Sequence, residues 1–158
     1  DHTLNISEAV MKGDEATNFA GLVGQSVSTM QGIGPKATEV AEHLGLKTVQ
    51  DLADYKYWKW ARAIAYLADT ETEGGRLEGS MMNIDKMVDK EYETKSLTEI
   101  RDAPIAALQG LSEGAGKLLG ELKVKTVLDL ALFKYCRWAE AIVVASTQEE
   151  QGTEAERK

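Results

Sequence analysis

The sequence predicts an all-α fold, in which two tandem helical units are joined by an amphipathic connector helix. Apolar residues recur at helical spacing, no segment alternates as a strand does, and the chain repeats itself after 78 residues. A chain of 158 residues that is 43% hydrophobic can bury a core. The predicted organisation is an N-terminal arm (1–17), a first unit (18–71), the connector helix (72–95), a second unit (96–149) and a C-terminal tail (150–158).

The duplication is clearest between residues 27–64 and residues 105–142. These segments align without a gap, and 16 of the 38 aligned residues are identical. Most other pairs keep their apolar character, such as Ile33 with Leu111 and Tyr55 with Phe133. A repeat this long indicates two copies of a domain-sized unit rather than a solenoid of short repeats.

Each unit is predicted to begin with a short helix that leads into a glycine hairpin. Asn18 and Ser96 are suitable N-cap residues for these first helices. After the hairpin, apolar residues at helical spacing predict a second helix, with Gly45 as its left-handed C-cap. Lys123 occupies the corresponding position in the second copy.

The phrase KTVxDLA follows in both copies and predicts a short third helix. Thr48 or Thr126 would cap it, and Asp51 or Asp129, three residues later, would complete a capping box. These local signals indicate the same order of helices in the two repeats.

The last helix of each repeat reads KYWKWARAIAYLA or KYCRWAEAIVVAS. Tyr57, Trp60, Ala61 and Ile64 share one face, which is expected to join the core. Trp58 lies two residues from Trp60, so the two rings cannot share a face. Trp58 is therefore predicted to be an exposed interface residue.

The connector follows Gly74 and Gly75, and its apolar residues fit the helical period. One side of this helix would be apolar, and it could either pack against the two units or contact a partner. The interface candidates in this segment are Leu77, Met81, Met82, Ile84 and Met87.

Composition argues against several functional classes. A net charge of -8 and a pI of about 4.8 disfavour non-specific binding to a polyanion. His43 has no second histidine beside it and Cys136 is the single cysteine, so neither a metal site nor a disulfide is expected. Because no nucleophile elbow, phosphate loop or dinucleotide fingerprint occurs, the chain is predicted not to be an enzyme.

The first hairpin resembles the helix-hairpin-helix family. Its phrase is a glycine, an apolar residue, a second glycine and a helix start, formed here by Gly32, Ile33, Gly34, Pro35 and Lys36. The resemblance implies that the hairpin amides and the following helix N-terminus could hold a phosphate, with Lys36 as the cation. A DNA- or RNA-binding module is therefore the alternative functional hypothesis.

The second hairpin departs from this phrase where binding would need it. Its residues are Gly110, Leu111, Ser112, Glu113 and Gly114, so the second glycine, the proline and the lysine are all replaced. A carboxylate at this helix start favours folding and would repel a phosphate. The hairpins are therefore predicted to be tight helix connectors that mediate protein contact.

A narrower resemblance is carried by the phrase LGLKTVQDLADYKYWKWARAIAYLADTE and its echo LKVKTVLDLALFKYCRWAEAI. Both are similar to plastid helix-hairpin-helix proteins of algae with red-lineage plastids, among them accessory subunits that bridge photosystem I to its chlorophyll antenna in cryptophytes. The resemblance implies a non-catalytic linker on the thylakoid, with the stromal side favoured, whose partners are photosystem I and chlorophyll-binding antenna proteins.

No uninterrupted apolar run approaches the roughly 20 residues needed to cross a bilayer, so no transmembrane segment is expected, and the resemblance implies a protein peripheral to the membrane. The resemblance also implies no intrinsic cofactor, although chlorophyll or carotenoid could be contacted at an interface. The chain begins with Asp1 rather than Met, as removal of a transit peptide or any other trimming would leave it.

Overall fold

A computed structural model describes residues 2–152 of the chain. Within that range the protein forms α-helices, four short 3₁₀ turns and isolated β-bridges, but no sheet, which confirms the predicted all-α class. The eight α-helices are α1 (Phe19–Val23), α2 (Gly34–His43), α3 (Val49–Asp54), α4 (Lys56–Ala68), α5 (Leu97–Arg101), α6 (Glu113–Glu121), α7 (Val127–Ala131) and α8 (Lys134–Ser146). The 3₁₀ turns are Lys12–Asp14, Val27–Thr29, Lys90–Tyr92 and Ile105–Ala107.

The predicted helix signals are present in the structure. The Asn18 side chain accepts a hydrogen bond from the Gly21 amide at the start of α1. Ser96 forms a capping box with Glu99 at the start of α5. These side chains satisfy amides that the first turn of a helix leaves without an intrahelical acceptor, which explains why both helices begin where they do.

The third helices also begin as predicted. Thr126 and Asp129 form a reciprocal capping box at α7, and the Thr48 and Asp51 side chains make the same pair of bonds at α3. The turn before each of these helices contains a residue with positive φ, at Gly45 (83°) and at Lys123 (65°). The second copy thus keeps the left-handed turn without glycine, which is a strained position for a lysine.

One compact unit contains residues 1–54 and 134–158, of which 2–54 and 134–152 are described. Here α8 packs against α1 and α3. Isolated bridges join Val10 to Met30 and Ser26 to Thr48. The core side chains of this unit include Leu22, Val27, Met30, Val40, Val49, Leu52, Cys136, Ala139 and Ile142.

The other compact unit contains residues 55–133. Here α4 packs against α5 and α7. Its bridges, Val88 to Leu108 and Pro104 to Thr126, repeat those of the first unit. Its core side chains include Trp58, Ala61, Ile64, Ile100, Ile105, Leu108, Leu119, Val127 and Leu130.

The compact units therefore do not coincide with the sequence repeats. Helix α4 belongs to the first repeat but lies in the second unit, and α8 belongs to the second repeat but lies in the first unit. This reciprocal helix exchange differs from the tandem organisation expected for 18–71 and 96–149. The chain passes from one unit to the other after Asp54 and again after Phe133.

The prediction of a connector helix is wrong. Residues 72–95 contain turns, irregular segments and the Lys90–Tyr92 3₁₀ turn, but no α-helix. Gly74 and Gly79 have φ values of 69° and 84°, and the Asn83 side chain accepts a bond from the Asp85 amide. Glycines in left-handed conformation and an Asn turn compete with helix, and they outweigh the apolar spacing.

The second half of that segment is instead a copy of the N-terminal arm. Asn5 accepts a bond from the Ser7 amide as Asn83 does from Asp85, and the 3₁₀ turn at Lys12–Asp14 recurs at Lys90–Tyr92. Val10 and Val88 occupy matching positions in the two repeats, and both are buried. The repeat therefore includes the arm, and residues 10–17 are part of a folded unit.

The predicted exposure of Trp58 is also wrong, because its side chain is fully buried. The buried face of α4 consists of Trp58, Ala61, Ile64, Ala65 and Ala68. Trp60 is half-buried beside that face. The helical period alone does not decide which of two tryptophans, two residues apart, lies toward the core.

Candidate functional site

The first glycine hairpin turns the chain sharply into α2. Gly32 and Gly34 have φ values of 90° and 68°, a region that L-residues rarely adopt. Ile33 between them is buried, whereas Pro35 and Lys36 are exposed. The hairpin therefore anchors one apolar side chain in the unit and leaves its glycine backbone at the surface.

The second hairpin keeps only part of this geometry. Gly110 has a φ of 87°, matching Gly32. Ser112, in place of the second glycine, adopts an extended conformation, and its hydroxyl accepts a bond from the Ala115 amide. Glu113 then pairs with Lys117 at 3.7 Å. The start of α6 is capped by its own side chains.

An aromatic cluster of the exchanged helix lies beside each hairpin. A side-chain carbon placed on Gly32 would lie 3.4 Å from the Tyr135 hydroxyl oxygen, and one placed on Gly110 would lie 3.2 Å from that of Tyr57. Positive φ favours glycine at both positions, and at Gly110 the closer contact adds to that preference. The shared backbone conformation explains why the first glycine is common to both hairpins.

The two aromatic clusters have the same composition. Tyr57 and Trp60 pack edge to face with ring centroids 5.5 Å apart, and Tyr135 and Trp138 do so at 6.1 Å. A lysine ammonium, from Lys56 or Lys134, lies over each pair. The clusters occur at matched positions and connect each hairpin to the helix supplied by the other repeat.

Two carboxylates, just after the C-terminal ends of α4 and α8, accept hydrogen bonds from backbone amides of the other repeat. The Glu149 oxygens accept bonds from the Phe19 and Ala20 amides at 2.8 and 3.0 Å. The Glu71 oxygens accept bonds from the Leu97 and Thr98 amides at the same distances. Amide donation by Thr98 and Leu97 lowers the pKa of Glu71 from its ordinary value.

Sequence reasoning missed these carboxylates, and it assigned the tyrosines to the core without their contacts to the hairpins. The signal was present, because Glu71 and Glu149, and likewise Tyr57 and Tyr135, stand at equal positions in the two repeats. Their partners lie in the other repeat, and sequence spacing carries no information about such a contact. Periodicity within one helix could not reveal them.

The predicted interface residues divide into two groups. Leu77, Met81 and Met82 are 80%, 89% and 80% exposed. Ile84 and Met87 are half-buried next to the bridge at Val88. We call residues 77–82, with these three exposed side chains, the apolar loop.

Two exposed apolar positions recur in both repeats. Leu4 corresponds to Met82 and is 79% exposed. Tyr66 on α4 corresponds to Val144 on α8, and both are exposed. A single exposed apolar residue is ordinary, but recurrence at matched positions and clustering in the apolar loop are typical of interaction surfaces.

An open groove of about 460 Å³ lies beside the second hairpin, between the Ile105–Ala107 turn and α6. Its lining includes the apolar residues Ile105 and Leu111, together with Gly116. Glu113 and Lys117, which pair with each other, also line it. The groove therefore offers apolar contact together with one exposed ion pair.

The remaining candidate groups are Cys136 and the side chains that could bind a metal ion. Burial raises the pKa of the Cys136 thiol, so the thiol stays protonated near neutral pH and is a core side chain. Across residues 2–152, no cluster of histidine, cysteine or carboxylate side chains is arranged to hold a metal ion. None of the helices described has the length and apolar character needed to cross a membrane.

Comparison of the chain with known protein families, with curated proteins and with solved structures finds no match.

Proposed function

We propose that this chain is a non-catalytic assembly protein that links subunits of a larger complex. The observation that carries the proposal is the apolar loop, where three large apolar side chains are 80% or more exposed within six residues. Covering such side chains with a partner removes apolar area from water, at roughly 25 cal/mol per Å². A protein partner with an apolar groove is the surface that fits them.

The duplicated structure supports a linking role. Each unit has its own hairpin, aromatic cluster and exposed apolar position on the last helix. Two binding surfaces on one chain gain from effective concentration, so two modest contacts can hold a complex together. The acidic net charge of -8 favours partners with basic surfaces.

The partner class that we propose follows from the resemblance of the repeat to plastid helix-hairpin-helix proteins. Photosystem I and its chlorophyll-binding antenna are the candidate partners, at the thylakoid surface, and chlorophyll or carotenoid could be contacted at the interface. The chain itself would position subunits without carrying a cofactor.

Co-migration with a purified photosystem I–antenna complex on a native gel tests this proposal. We expect the wild-type chain to co-migrate, and the triple variant Leu77→Ser, Met81→Ser, Met82→Ser to be lost from the complex. The matched control Glu73→Ser, Glu78→Ser changes exposed polar residues of the same segment and should co-migrate. Retention of the triple variant would refute the apolar loop as the contact, and failure of the wild-type chain would refute this partner class.

Nucleic-acid binding is the second candidate, and one observation favours it. The N-terminus of α2 has no side-chain cap, and the exposed lysines Lys36 and Lys134 lie at or beside the first hairpin. Retention on a DNA duplex that falls with salt and is abolished by Lys36→Glu, but not by the matched Lys117→Glu on α6, would support it. Equal elution of all three proteins would exclude it.

A further inference from the structure

The two repeats of the chain pair with each other as the two subunits of an intertwined dimer do. Helix α4 of the first repeat packs on α5 and α7 of the second repeat, and α8 of the second packs on α1 and α3 of the first. The carboxylate that follows each of these last helices accepts hydrogen bonds from amides of the other repeat. Each unit is therefore complete only when both repeats contribute to it.

One exposed segment, residues 72–82, joins the two repeats along the chain, and we call it the hinge loop. All of its residues except Ser80 are exposed. Every hydrogen bond described for the hinge loop has both partners within residues 72–83, such as the bond from the Gly75 amide to the Thr72 carbonyl. Straightening the hinge loop would therefore break no described hydrogen bond to the helices of either unit.

The turned conformation of the hinge loop depends on two glycines. Gly74 and Gly79 have φ values of 69° and 84°, and a side-chain carbon placed on either would meet no atom within 4 Å. A larger residue at these positions would thus strain the backbone without a steric clash. That strain would act on the turned hinge loop alone, because an extended one does not require positive φ.

We propose that a second copy of this chain is a binding partner, and that the two copies associate by exchanging whole repeats. The first repeat of one chain would pair with the second repeat of the other, through the same helix contacts and carboxylate bonds that the single chain makes. The hinge loops would be straightened, and every unit would be complete. Protein concentration and the hinge loop set the balance between single chain and dimer.

Cross-linking between two chains tests this proposal. One chain carries Ala20→Cys and the other carries Glu149→Cys, because the Ala20 amide donates to the Glu149 carboxylate at 3.0 Å. The native Cys136 is buried, so it should not compete for a short bismaleimide. Co-expressed chains should give a cross-linked dimer. Chains that are expressed separately and mixed immediately before the reaction collide equally often but have not exchanged, so they should not.

Substitutions in the hinge loop should change the yield of dimer. Gly74→Val with Gly79→Val strains only the turned hinge loop and should raise the cross-linked yield at least about fivefold at equal concentration. The matched control, Glu73→Val with Glu78→Val, changes exposed residues of the same segment that have negative φ. It adds the same side chains without the strain and should leave the yield unchanged.

Two results would overturn the proposal. The first is an equal yield from co-expressed and freshly mixed chains, including no cross-linked dimer in either. The second is an equal rise in yield for the glycine variant and its control, because added apolar surface would then drive the association. Size-exclusion chromatography of chains without introduced cysteines gives an independent readout. A dimer peak that grows with concentration is expected for the glycine variant, and a monomer at every concentration would also overturn the proposal.

Discussion

The two glycine hairpins show which features the fold requires and which it can lose. Both keep a first glycine with φ near 90° that packs against a tyrosine hydroxyl of the exchanged helix. The second glycine, the proline and the lysine occur only in the first hairpin, at exposed positions. The shared residues serve packing, so a hairpin can persist here without binding phosphate.

The largest expected difference between the units is at the exchanged helices. Trp58→Ala should lower the free energy of unfolding by about 3–5 kcal/mol, because it empties a fully buried site. Cys136→Ala should cost only about 1 kcal/mol, because little volume is removed. Urea unfolding of both variants measures the difference. Equal losses of unfolding free energy would contradict the difference in buried volume between these two matched positions.

The first glycine of a hairpin should be more sensitive to substitution than the second glycine. Gly110→Ala should cost about 1–2 kcal/mol, because alanine is strained at positive φ and its methyl group would crowd the Tyr57 hydroxyl at 3.2 Å. Gly34→Ala meets strain but no atom within 4 Å, so a smaller loss is expected. Thermal unfolding of the two variants compares them, and a greater loss for Gly34→Ala would argue against the tyrosine contact.

The caps of the two second helices should differ by a smaller amount. Ser112→Ala removes the bond to the Ala115 amide and should cost about 1 kcal/mol. Pro35→Ala at the start of α2 removes no side-chain cap and should cost less. Chemical denaturation of both proteins measures this, and an insensitive Ser112→Ala would show that the α6 cap contributes little.

The smallest expected effect is a dependence of stability on pH through the Glu71 carboxylate. The folded-state pKa of Glu71 is below its ordinary value of 4.5, so its contribution is present above about pH 4.5 and is lost as pH falls through the lower folded-state pKa. The side chain is exposed, so Glu71→Gln should cost less than about 1 kcal/mol near neutral pH. Chemical denaturation at several pH values measures the difference in the free energy of unfolding between wild type and Glu71→Gln. This difference should shrink in acid, and an equal difference at pH 7 and pH 3 would exclude the linkage.

Much of the local structure could be predicted from the sequence. The duplication, the all-α class, the N-caps Asn18 and Ser96 and the capping boxes follow from short-range patterns, because a cap and its amide lie within three residues. The sequence also contained the signal against the connector helix. LNI at residues 4–6 recurs as MNI at 82–84, which marks the arm as part of the repeat.

The helix exchange could not be predicted in the same way. Because the repeats are alike, each last helix carries nearly the same apolar face, and periodicity does not tell which copy that face contacts. The burial of Trp58 arises in the unit of residues 55–133, where α4 packs on α5 and α7 of the other repeat. The candidate hairpin residues lie in the turns before α2 and α6, but their tyrosine contacts arise only through the exchange.

Reciprocal helix exchange is the central claim, and cutting the folded chain tests it most directly. A specific protease site placed between Gly74 and Gly75, in an exposed turn, would separate the repeats after folding. With exchange, each unit needs helices from both fragments, so the fragments should co-elute and unfold at a temperature that rises with protein concentration. Unfolding that is independent of concentration, with each fragment retaining its own helices, would contradict the account.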